Sequence, residues 1–195
     1  MNPELGPASI ETGRVSSRTL QIARRGASIA LGALAVALAA QVVVPVPLSP
    51  VPMTLQPLAV LAVGGLLGAA EGVSALVLYL IVGAVGLPVF AAGGSGALHF
   101  IGPTGGYLLA FPVAAGITGA LVGRAPRSVI QVLLACAIGM ALIHVGGVAQ
   151  LALLGGDPAL AFRVGFFPFL TGDLLKVGLA AAVILAVGPK FRSSR

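Results

Sequence analysis

Charge is what this sequence has least of. Its 195 residues include 11 lysines and arginines and 5 aspartates and glutamates, so charged side chains make up 8% of the chain, against about 25% in an ordinary soluble domain. None falls between Gly26 and Ala70, between Gly72 and Gly123, or between Ser128 and Gly156. A soluble fold of this size could not cover its surface with so few charges. With 58% apolar residues, the chain reads as an integral membrane protein. Cysteine is scarce too: Cys136 stands alone in an apolar run, which excludes an internal disulfide. The two lysines, Lys176 and Lys190, close no GxxxxGK[ST] loop, so ATP-driven work would need another chain. The net charge of +6 comes from short flanking clusters rather than one basic face, which argues against a nucleic-acid partner.

The apolar stretches are long enough to cross a lipid bilayer, which takes about 20 residues as a helix. Six spans are expected: 26–44, 53–70, 72–87, 105–123, 128–154 and 166–188. Pro45, Pro47, Pro50 and Pro52 separate the first two, since proline removes a donor and clashes with the preceding turn. Glu71-Gly72, Pro88, Arg124-Ala-Pro-Arg127 and Gly155-Gly156-Asp157-Pro158 mark the later boundaries. The expected fold is therefore an all-α membrane domain over 26–190, with tails 1–25 and 191–195. Arg14, Arg18, Arg24, Arg25, Arg124, Arg127, Lys190, Arg192 and Arg195 would share one side, and Arg163 alone the other. By the Lys/Arg bias this puts both termini in the cytoplasm and 45–56, 88–104 and 155–165 outside. Ala37-Leu-Ala39 resembles a signal-peptidase site, but the apolar run continues to Val44 and the segment is expected to be retained.

Asp173 and Lys176 are the only charges well inside an expected span. Spaced i, i+3, they share a helix face and can pair. Counted from Phe166 they would lie about 10 and 15 Å deep at 1.5 Å per residue, in the outer half of the membrane. Intramembrane charges are costly and by default mark a functional site; a plain helix-locking salt bridge is the competing reading. Thr54 and Gln56 offer a hydroxyl and an amide at the same level. Gly102-Pro-Thr-Gly-Gly-Tyr107 opens the fourth span, where Gly105 and Gly106 would let backbone approach a ligand. Three glycine- and proline-rich outer segments facing one charge pair describe a pocket open to the outside.

His99 and His144 have no second ligand at metal-binding spacing, so no metal site is expected, and a lone histidine in a span reads as a hydrogen-bonded structural residue. Gly93-Gly94-Ser95-Gly96 matches the GxSG pattern of rhomboid proteases, with His144 as a conceivable base. Against a protease, Asn2 is the only asparagine, so the asparagine of that family's oxyanion site is absent, and Ser95 falls in a loop.

Four strings in order, Val51-Pro-Met-Thr-Leu-Gln56, Gly83-Ala-Val-Gly-Leu-Pro-Val-Phe-Ala91, Gly102-Pro-Thr-Gly-Gly-Tyr-Leu108 and Pro168-Phe-Leu-Thr-Gly-Asp-Leu-Leu-Lys176, resemble the BioY family, the biotin-specific S components of energy-coupling factor (ECF) transporters. The resemblance covers residues 26–190 and implies a six-helix S-component bundle that takes biotin from outside, with no catalysis and no cofactor. It places Asp173 and Lys176 at the biotin head. A cyclic urea offers two N–H donors for a carboxylate and one carbonyl for an ammonium. Met53, Tyr79, Phe90 and Tyr107 are available as apolar walls; Arg163 and His99 are the outer-side cations at hand for the biotin carboxylate, and neither belongs to one of the four strings. An S component for a different small vitamin is the alternative within the same class. The implied partners are a transmembrane coupling protein and two ABC-type ATPases, and Ala33, Ala35, Ala37 and Ala39 on the first helix resemble a small-xxx-small docking face.

Overall fold

Alanines and leucines after Arg25 favour a helix, but that helix starts well before them. In the computed structural model, which describes residues 7–47, 49–123 and 128–193, α1 runs from Pro7 to Ala40. Its 34 residues amount to about 51 Å, well beyond the roughly 30 Å hydrocarbon layer. The expected tail 1–25 is thus largely continuous with the first span. The turn expected at Arg124–Arg127, and Arg195 at the end, lie outside the described residues.

The first span stops at Ala40 rather than Val44. Val43–Val44 (β1) pairs antiparallel with Met53–Thr54 (β2), Val43 opposite Thr54 and Val44 opposite Met53. β-Branched valines followed by Pro45 favour extended backbone over a last helical turn. The second span is correspondingly short: α2 covers Gln56–Leu67, with Pro57 in its first turn, where proline costs no hydrogen bond. α3 covers Ala69–Ala84. The turn between them is at Gly68, not at Glu71-Gly72 as the sequence suggested. Gly68 has φ +86°, a conformation glycine alone adopts without strain, and Glu71 instead sits in the first turn of α3, where the helix dipole favours an acid.

α4 (Gly105–Val122) and α5 (Val129–Gly155) follow. The loop after α5, expected to lie outside, holds an unexpected helix, α6 (Pro158–Gly165). Asp157 starts it: its carboxylate accepts from the Ala159 and Leu160 N–H groups at 2.9 and 3.0 Å, a normal N-cap. A 3₁₀ turn at Phe167–Phe169 then leads into α7 (Leu170–Ser193), four residues later than the expected start at Phe166. Among the described residues four helical stretches are long and apolar enough to cross a membrane: Arg18–Ala40, Gly105–Val122, Val129–Gly155 and the merged Pro158–Gly188. α2 and α3, at 12 and 16 residues, are shorter because the extended segment before Gln56 and the loop after Ala84 replace turns at the cavity end.

The helices pack through small residues. Gly106 of α4 lies against the Gly146 carbonyl of α5, and Gly147 lies under the Tyr107 ring. Val60, Leu61, Leu76 and Ile143 are fully enclosed, while Leu31 on α1, Ile130 on α5 and Leu174 on α7 point outward, as a lipid-facing surface requires. The alanine stripe of α1 does not form one outward face. Ala33 is buried and Ala37 and Ala39 pack against the core, leaving Ala35 outward beside Leu31, Leu34 and Leu38. Positions two apart differ by about 200° around a helix, so the overlapping pairs cannot share a side.

Candidate functional site

At the end of the bundle where β1, β2, the loop 88–104 and α6 lie, a cavity of about 460 Å³ opens. That is within the usual range of small-molecule sites. Four helices, one strand and the long loop supply its wall: Met53 and Thr54 from β2, Gln56 from α2, Phe90 and His99 from the loop 88–104, Tyr107 from α4, His144 from α5, and Asp173 with Lys176 from α7.

Its polar wall is built around Asp173. The Lys176 ammonium donates to Asp173 Oδ1 at 2.9 Å, with both side chains buried, at 7% and 6% exposure. The one-turn spacing makes this geometry natural on α7. From α5, His144 Nε2 approaches Oδ2 at 3.1 Å, while its Nδ1 lies 3.2 Å from the Met140 carbonyl. The His144 approach is close but poorly aligned, and Oδ2 has no hydrogen-bond partner among the described residues. Lys176 in turn donates only to Asp173 among them, although an ammonium carries three N–H groups. A buried acceptor and two buried donors are thus left over beside one cavity, an arrangement that is costly without a ligand.

The opposite wall is polar but already satisfied. Thr54 Oγ1 donates to Gln56 Oε1 at 3.1 Å, Gln56 Nε2 donates to the Tyr79 hydroxyl at 2.6 Å, and that hydroxyl donates to the Val89 carbonyl at 3.1 Å. Tyr79 therefore stands behind Gln56 rather than in the cavity wall, and ties α2 and α3 to the loop. Phe90 meets Tyr79 edge to face at 5.6 Å and Phe100 at 5.8 Å. Its ring rests on Gly83, which has no side chain to hold it off.

Of the residues singled out in the sequence, Asp173, Lys176, Thr54, Gln56, Met53, Phe90 and Tyr107 line the cavity together. Gly105 and Gly106 do not. A Cβ on either would strike the Phe100 or the Gly146 carbonyl, so their role is close helix and loop packing rather than ligand approach. Of the two outer cations, His99 lines the cavity and rests against Phe90 at 5.3 Å; Arg163 is exposed in the last turn of α6. Ser95 is not part of the wall, and His144 turns to Asp173 and Met140. His144 is the site residue that the sequence reading passed over. The usable signal was that it is the one histidine in the fifth span, where Cys136 is the only other ionisable side chain. Among the described residues no group of three or more His, Cys, Asp or Glu is placed to hold a metal.

The fold has a solved counterpart. The crystal structure of the S-component for biotin from an ECF-type ABC transporter superposes with a TM-score of 0.80, covering 86% of this chain and 92% of that one at 22% identity. Among curated relatives, the probable biotin transporter BioY of Pyrococcus horikoshii is 39% identical over 127 residues, 65% of this chain and 73% of the relative. The biotin transporter BioY of Thermotoga maritima is 39% identical over 119 residues, 61% and 70% of the two chains. Biotin transporter BioY2 of Lactococcus lactis is 36% identical over 131 residues, 67% and 72%. The BioY family profile itself matches residues 11–193. This bundle of membrane-spanning length, with its charge pair facing one end cavity, belongs to the BioY family.

Proposed function

We propose that the chain binds biotin from outside the cell and delivers it across the cytoplasmic membrane, as the substrate-binding component of an ECF transporter. The observation that carries this reading is the set of unused polar atoms around the buried Asp173–Lys176 pair. A cyclic urea supplies two N–H donors for the carboxylate and a carbonyl for the ammonium. Phe90, Tyr107, Phe111 and Phe169 give the apolar surface that a thioether ring and alkyl chain need. The named activities of the relatives support the same ligand, and the chain performs no chemistry on it and needs no cofactor. The Lys/Arg bias of the sequence supports cytoplasmic termini, which leaves the cavity open to the outside. A transmembrane coupling protein and two ABC-type ATPases would provide the energy, since no P-loop is present in this sequence.

Cells lacking their own biotin uptake, made to express this chain with and without coupling subunits, should accumulate labelled biotin, and an excess of unlabelled riboflavin or thiamine should not compete. No accumulation of labelled biotin above that of cells without the chain, while labelled riboflavin or thiamine does accumulate, would overturn the assignment of the ligand.

A further inference from the structure

We propose that His144 is a positioning residue of this site: its imidazole, reaching in from α5, fixes the orientation of the Asp173 carboxylate that receives the ligand's N–H groups. This rests on the biotin reading above and extends it to a residue outside the charge pair. Asp173 has two oxygens to orient, and its partner on α7 holds only one of them. Lys176 takes Oδ1 at 2.9 Å, which leaves the carboxylate free to swing about that contact. His144 Nε2, 3.1 Å from Oδ2, closes the second side. Because it comes from another helix, it sets the carboxylate relative to the cavity rather than only relative to α7.

The imidazole is itself held in place. Its Nδ1 lies 3.2 Å from the Met140 carbonyl one turn back on α5. Phe166 meets the ring edge to face at 5.1 Å and 84°, and Tyr107 does so at 6.1 Å and 83°. The side chain is 9% exposed and lines the same cavity as Asp173 and Lys176. A carboxylate and a carbonyl both only accept, so the ring donates toward Oδ2 when its proton is on Nε2 and to the Met140 carbonyl when it is on Nδ1; the positioning role belongs to the Nε2–H form. The contact is short but off-axis, leaving Oδ2 with acceptor capacity for a ligand donor. An acceptor oriented before the ligand arrives saves ordering entropy on binding.

The test uses the full-length chain purified in detergent. Biotin affinity and thermal unfolding temperature are measured for His144→Phe, His144→Gln and His144→Asn. A glutamine amide can put an N–H near the position of Nε2; an asparagine is too short, and phenylalanine keeps only the ring. Binding should weaken about tenfold or more in the Phe and Asn variants, the scale of one hydrogen bond to a charged group, and be largely restored in the Gln variant. A second readout compares biotin with an analogue methylated on a ureido nitrogen. The preference for biotin should shrink in His144→Asn, because a loosely held carboxylate loses mainly the N–H contacts. A residue that merely packs would lower unfolding temperature without changing that preference. Equal affinities in Gln and Asn variants, or an unchanged preference, would overturn the inference while leaving biotin binding by the unaltered chain intact. No binding by the unaltered chain would instead remove the biotin reading, and this inference with it.

Discussion

Asp173→Asn imposes two costs that can be measured apart. The first falls on the ligand. If Asp173 accepts the ureido N–H groups, neutralising it weakens biotin binding by about 1.5–3 kcal/mol, the usual worth of a hydrogen bond to a charged group. That is roughly tenfold to more than a hundredfold in dissociation constant. The second falls on the fold. Lys176, at 6% exposure and with Asp173 as its hydrogen-bond partner, is left as an unpaired ammonium inside the bundle. Breaking a buried pair from one side costs about 3–5 kcal/mol, which lowers the thermal unfolding temperature even without ligand. The double variant Asp173→Asn with Lys176→Met removes the stranded charge. Thermal unfolding and titration calorimetry in detergent then separate the costs. The double variant should regain stability and still fail to bind biotin. A stable double variant with near-native affinity would refute the reasoning and reduce the pair to a helix lock.

Three further outcomes follow from the packing. Gly83→Ala should impair biotin binding, because the new methyl would enter the Phe90 ring that forms part of the cavity wall; Gly178→Ala, which meets nothing within 4 Å, is the control and should bind normally. Gly106→Ala should lower stability by about 1–3 kcal/mol, the usual cost of overpacking, since its Cβ would meet the Gly146 carbonyl of the most extensively packed helix pair; an unchanged unfolding temperature would contradict that contact. Cysteines introduced near Ser49, Ser95 and Asp157 should react with an impermeant thiol reagent from outside, and outside labelling near Arg124 would reverse the orientation.

Legibility differed by the kind of signal. Asp173 and Lys176 were visible because a charge inside an apolar run has few cheap explanations. Every α-helix but α6 was visible as an apolar run, but the limits at the cavity end were not. Val43 and Val44 are apolar enough for a span, yet their pairing with Thr54 and Met53 depends on a contact across the proline-rich turn. Gly68 was hidden among other small residues, and hydropathy does not say which glycine turns the chain. Gly105 and Gly106 were read as ligand-facing when they are helix-facing, because small residues serve both purposes equally well in a membrane. Tyr79 was read as cavity wall when its hydroxyl braces Gln56 from behind, a relation between helices with no local trace. His144 was legible as an ionisable residue but not as a neighbour of Asp173, since nothing in the sequence sets the rotation of α5 against α7.

On the reading proposed here, this chain alone forms the biotin site. That is tested most directly by titrating biotin into the purified full-length protein in detergent with no ATP, metal or partner subunit present. Binding should be saturable at one biotin per chain, with a rise in thermal unfolding temperature, as ligand binding to the folded state alone produces. A folded, detergent-stable sample that shows neither heat of binding nor stabilisation by biotin would contradict it.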